Sequence, residues 1–128
     1  MTDDNGAVPG KIEWCDLTVD DADSLRDFYG EVVGWEPSGV SMGDYFDYSM
    51  NLPGTDTAVA GVCHARGSNA NIPPQWLIYV RVDDADAAAQ RCRGRGGTVV
   101  DGPRDMDGMR FCVIQDPAGA VMALLSGG

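Results

Sequence analysis

The chain has a single histidine, His64, and only nine lysines and arginines against twenty acidic residues. Any histidine-based triad or proton shuttle therefore rests on one position. The formal net charge of −11 repels phosphate backbones and anionic lipid headgroups, so neither nucleic acid nor a membrane surface is an expected partner. Zinc-type C-x-x-C spacing is missing as well. Cys15, Cys63, Cys92 and Cys112 stand far apart and read as small core hydrophobes in a reducing compartment. No apolar run approaches membrane-spanning length, and the opening residues MTDDNGAVPG carry neither a basic stretch nor an apolar one. A cytoplasmic protein is the expectation.

What is present suits one packed domain. The 128 residues leave no room for a second independent one, and 44% hydrophobic content with three tryptophans is enough for a core. The aspartates near Asp20, Asp83 and Asp105 read as solvated turns and helix starts.

The main internal signal is a repeat. Val19-Asp20-Asp21-Ala22-Asp23 returns 63 residues later as Val82-Asp83-Asp84-Ala85-Asp86. Each copy follows a run of strand formers, 12–19 and 75–82, and precedes a helical stripe. In the first copy the stripe is Leu25, Phe28, Tyr29, Val32 and Val33, stopped by Gly34; in the second it is Ala85, Ala88, Ala89 and Cys92, closed near 94–97. Three short strand candidates follow each helix: 35–40, 45–50 and 57–63, then 98–101, 109–115 and 120–125. The expected organisation is a flexible segment 1–9 and one domain over 10–126. Within that domain lie module one (10–64), a linker (65–74) and module two (75–126). The fold class is α+β, two βαβββ modules forming a half-open curved sheet with the helices on its convex side.

A concave cleft in such a sheet is the default place for a small molecule. Alternation along the strands turns Cys15, Leu17 and Val19 toward the first helix and leaves Trp14, Asp16 and Thr18 for the cleft. On the counterpart strand Leu77, Tyr79 and Arg81 take the cleft side. Tyr45, Asp47 and Ser49 alternate with Phe46, Tyr48 and Met50, and either set can face the cleft; Tyr48 is carried as the candidate. Trp14 reads as a stacking platform or as filler. Asp16, Tyr79, Arg81 and Arg110 read either as a polar anchor for a ligand or as an internal pairing of Asp16 with one of the arginines. His64 is expected at the surface or a loop edge. Phe28, Tyr29, Trp35 and Trp76 are expected in the core.

The run WCDLTVDDADSLRDFYGEVVGW, then AVAGV, PPQWLIYVRVDDADA, Gly96-Gly97 and the closing DPAGAVMALL together resemble the vicinal oxygen chelate superfamily of glyoxalases, bleomycin-resistance proteins and dioxygenases. Within it the likeness is to the hydroxylase-like or antibiotic-binding branch. Metal-using members take four ligands from the first and last strands of their modules. The resemblance carries those places onto Trp14, Leu77, Ala123 and either Ala60 or Gly61, none of which offers an imidazole, carboxylate or thiolate. It therefore implies no metal, no cofactor, and an unknown metabolite or antibiotic bound by Trp14, Asp16, Tyr48, Leu77, Tyr79, Arg81 and Arg110. A homodimer is the expected assembly. The alternatives are an enzyme of the same superfamily using Asp16 or His64 for acid-base chemistry, and a structural or interaction domain.

Overall fold

The computed structural model describes residues 8–127, so most of the expected flexible segment 1–9 lies outside the described residues. The chain divides into two compact units. One is Cys15–Trp76; the other joins the segment ending at Trp14 to the segment beginning at Leu77. Both follow the order strand, helix, three strands, as the sequence patterning predicts.

In the first module β1 (Ile12–Val19) leads into α1 (Ala22–Val33), followed by β2 (Glu36–Ser41), β3 (Phe46–Asn51) and β4 (Ala58–His64). The strands are hydrogen-bonded in the order β2-β3-β4-β1, with β1 parallel to β4 and the other pairs antiparallel. Asp21 caps α1 by accepting from the Ser24 amide, and Gly34 ends the helix with a left-handed φ of 90°, a conformation that costs glycine little. The core is Ala22, Met50, Ala60 and Val62, with Tyr48 at its edge. Only part of the expected α1 stripe packs there. Leu25 and Tyr29 lean on the core, whereas Phe28, Val32 and Val33 are 53%, 65% and 51% exposed. Phe28 is thus a surface residue, contrary to its expected place in the core.

The second module repeats this connectivity with β5 (Trp76–Arg81), α2 (Ala85–Gly94), β6 (Thr98–Met106), β7 (Met109–Gln115) and β8 (Val121–Gly127), in the order β6-β7-β8-β5. Asp84 caps α2 through the Ala87 amide. The alanine stripe of α2 packs as expected: Ala85, Ala88 and Ala89 are buried with Cys112 and Leu124. β6 runs five residues beyond its predicted end, because register shifts between Val99 and Arg104 let the strand resume pairing past Gly102-Pro103. Gly10 and Lys11 exchange backbone hydrogen bonds with Arg81, which ties the opening of β1 to β5 inside this unit. The expected linker holds a short 3-10 turn, Gly67–Asn69, and buries Ile72. Among the described residues no helix is long and apolar enough to cross a membrane.

Candidate functional site

Strand alternation sets which side chains stand opposite the helix in each module. In the first, Ala60 and Val62 pack under α1, so Gly61 and Cys63 occupy the other face of β4. Asp16 is the register partner of Gly61, and its carboxylate lies 3.9 Å from the Cys63 thiol. Asp47, buried on β3, receives the backbone N–H of His64 at 2.8 Å. Burial, and after it the negative charges of Asp16 and Asp47, push the Cys63 thiol far above its ordinary range. This thiol is protonated and poorly nucleophilic at neutral pH.

Tyr48 stands on the opposite side. It packs in the helix-side core, and its hydroxyl donates to Asp23 at 2.5 Å and accepts from Arg26 at 2.9 Å, both on α1. The hydrogen bond to Asp23 raises the phenol's pKa, with burial adding to the rise. Tyr48 therefore leaves the set of residues facing away from the helix, and Asp47 and Ser49 take that face. Periodicity alone does not separate the two alternating sets; the packing of Met50 beneath α1 does.

His64 corrects a second expectation. It is 9% exposed, not a surface residue. Its ring lies edge-on to Tyr45 at 5.3 Å, with Nδ1 3.5 Å from Asp47 and Nε2 3.8 Å from Asp23. Nδ1 is buried and has no hydrogen-bond partner among the described residues. The polar residues after β4 suggest exposure, but Ala65 donates to the Val19 carbonyl and holds the strand end against β1.

In the second module Val80 and Val82 pack toward α2, leaving Leu77, Tyr79 and Arg81 on the other face. Leu77 is fully buried. Tyr79 is the register partner of Ala123 and stacks on Phe111 at 5.7 Å. Arg81 forms a bidentate pair with Glu13, at 2.8 and 3.0 Å, and also donates to the Gly127 carbonyl. Trp14, half-buried, belongs to this unit as well. Arg110 lies on the helix side with Cys112. It pairs with Asp86 in the first turn of α2 at 3.0 Å and with Asp105 at 3.3 Å, so it too leaves the set opposite the helix. That pairing raises the Arg110 pKa and holds the Asp86 carboxyl below its ordinary range.

The four places that the resemblance assigns to metal ligands are therefore occupied by an indole, two aliphatic side chains and Ala60 or Gly61. The register favours Gly61, since it faces Asp16 as Ala123 faces Tyr79. This donor set does not fit a divalent ion.

A separate hollow lies within the unit Cys15–Trp76, on the helix side. Its walls are Tyr29, Trp35 and Trp76, its floor Cys15, Val59 and Ala60, and its volume about 430 Å³. Tyr29, Trp35 and Trp76, expected as core, are half-buried because they border this space.

Comparison with known proteins agrees with the architecture. The model of the Glyoxalase/Bleomycin resistance protein/Dioxygenase superfamily matches residues 11–124. A putative glyoxylase, CFP32, of Mycobacterium tuberculosis is 33% identical over 117 residues, covering 91% of this chain and 44% of that protein. The anthracycline biosynthesis protein DnrV of Streptomyces peucetius is 32% identical over 113 residues, covering 88% of this chain and 40% of that one. The chain thus spans less than half the length of these curated relatives. Among solved structures, methylmalonyl-CoA epimerase from Mycobacterium tuberculosis superposes with a TM-score of 0.54 at 19% identity, covering 95% of this chain and 90% of that one. With the connectivity of both modules and a family match over nearly the whole chain, the protein belongs to the glyoxalase/bleomycin resistance/dioxygenase superfamily.

Proposed function

We propose that this chain is a small-molecule binding protein that works without the superfamily's metal, holding an unidentified metabolite or antibiotic on the module faces opposite the helices. The observation that carries the reading is the donor chemistry: the side chains of Trp14, Gly61, Leu77 and Ala123 each offer no donor to a cation. Lewis-acid polarisation of paired substrate oxygens has nothing to hold its metal at those places. What those faces offer instead is the half-buried indole of Trp14 in one unit and the half-buried carboxylate of Asp16 in the other, while Tyr79 is buried against Phe111 and Arg81 is paired with Glu13. An indole face can stack on a flat ligand, and a carboxylate can hold a polar or cationic group. The relative named for anthracycline biosynthesis makes an anthracycline the first ligand to try.

Calorimetric titration tests this directly. An anthracycline should bind saturably, with the same affinity in EDTA, and more weakly to Asp16→Asn. Tight uptake of one zinc, nickel or manganese ion per chain would sink the metal-free reading.

A second reading, an enzyme with non-standard acid-base residues, is favoured by His64, whose ring lies between Asp23 and Asp47 and whose Nδ1 has no hydrogen-bond partner among the described residues. Turnover of α-ketoacid hemithioacetals, compared between the wild type and His64→Ala, separates the two readings. A homodimer in a reducing cytoplasm completes the proposal. The edge strand β2 is exposed along its whole length, and Val40 on it and Phe46 on the neighbouring β3 are half-exposed, which supports pairing with a second copy.

A further inference from the structure

We propose that the hollow beneath the C-terminal half of α1 is a binding site for a neutral, planar aromatic molecule, distinct from the faces discussed above. Cys15 and Asp16 are neighbours on β1, and alternation sends them to opposite sides of the strand, so a ligand beside Cys15 lies across the sheet from Asp16.

Protein interiors leave few voids larger than a water molecule. A space of about 430 Å³ falls instead within the range of small-molecule pockets. Local structure makes the space. The β3–β4 register jumps where Met50 pairs with Ala60 and Asn51 with Ala58, and the bulged Val59 turns toward the hollow beside Ala60. Small side chains form the floor while large rings stand around it. Trp76 meets Tyr29 at 5.1 Å and 81°, and Trp35 at 5.8 Å and 70°, so the rings brace one another edge to face.

The chemistry of the walls selects the ligand class. Among the described residues the lining carries no Asp, Glu, Lys, Arg or His, and burial raises the pKa of the Cys15 thiol. The indole N–H of Trp76 is already spent on the Tyr29 hydroxyl at 3.1 Å. A charged guest would lose its hydration there with no counter-charge to replace it. A flat, uncharged ring system loses little hydration and gains three aromatic neighbours. Val33, half-exposed on the last turn of α1, borders the mouth.

The test is a titration of the intact chain with N-phenylnaphthylamine, a neutral fluorescent aromatic, following probe emission and tryptophan quenching. The expected result is saturable binding of one probe per chain, with quenching from Trp35 and Trp76. Val33→Glu, which places a carboxylate at the mouth without touching the core, should weaken binding about tenfold or more. Trp35→Ala should weaken it too, and circular dichroism melts of both variants show whether they remain folded. Absence of saturable binding, or equal affinity in the wild type and a folded Val33→Glu, overturns the proposal. So does a wild-type dimer that excludes the probe and dissociates in Val33→Glu, because a second copy then fills the hollow. Failure here leaves the metal-free reading intact, since that reading is tested through Asp16 and metal uptake.

Discussion

Asp21 and Asp84 stand at equivalent points of their modules, each accepting an amide hydrogen bond from three residues ahead. Asp21 also receives the Ser24 hydroxyl at 2.7 Å, and these hydrogen bonds hold its carboxyl below the ordinary range. A carboxyl depressed in this way stabilises the fold above its unfolded pKa and ceases to do so as acid protonates it. Replacing either residue by alanine should lower the melting temperature by a few degrees, whereas Asp21→Asn, which keeps an acceptor, should lose less. Thermal melts at neutral pH check this, and equal losses for alanine and asparagine would contradict the capping role. That aspartates start both helices was legible from their place before an apolar stripe, but that Asp21 rather than Asp20 caps α1 was decided by the fold. The place of His64 was not legible, because its burial depends on Tyr45, Asp23 and Asp47, which come from three other segments.

Among the elements, α2 and β7 show how closely the second module is packed. A Cβ on Gly97 would sit 2.6 Å from the Cys92 thiol and 2.9 Å from the Gln115 carbonyl oxygen, and that oxygen is backbone and cannot swing aside. Gly97→Ala should therefore destabilise the protein by about 1–3 kcal/mol, as overpacking usually does, without touching any candidate ligand residue. Chemical denaturation measures it; a neutral effect would mean that the helix and strand separate easily. The contrast with α1 is physical. α2 packs on its sheet through alanines, whereas α1 packs through the larger Leu25 and Tyr29, and the hollow lies beside Tyr29 and Trp35. The number and order of the elements followed from periodicity and turn residues. The length of β6 did not, because a strand interrupted by bulges shows no continuous alternation.

For the molecule as a whole, the buried thiols set an alkaline limit. Burial, chiefly, pushes the Cys112 pKa up to about 11 from 9.0, and Cys63 is raised further. Each thiol stays protonated in the folded chain where the unfolded chain ionises. The stability this contributes is complete below the ordinary thiol pKa and is lost as pH climbs toward the folded value. Denaturant midpoints should fall between about pH 9 and 11, and Cys112→Ala should flatten that arm while costing stability at neutral pH. An unchanged alkaline arm in the variant would assign the loss to other groups. At this scale the charge of −11 and the superfamily match bear on partners, and the relatives' greater length leaves their full activities outside what this chain alone carries.

Patterns of two and of 3.6 residues, read with aspartate-rich helix starts and glycine stops, settled the βαβββ order of each module, and the resemblance to the superfamily implied non-chelating residues at its ligand places. These are local properties, present wherever the chain goes. Which side of a strand faces a helix, and so the removal of Tyr48 and Arg110 from the proposed ligand faces, was decided only by packing. So were the burial of His64 and the aromatic hollow. Each depends on side chains distant in sequence arriving at one place, and hydrophobic periodicity carries no information about that distance.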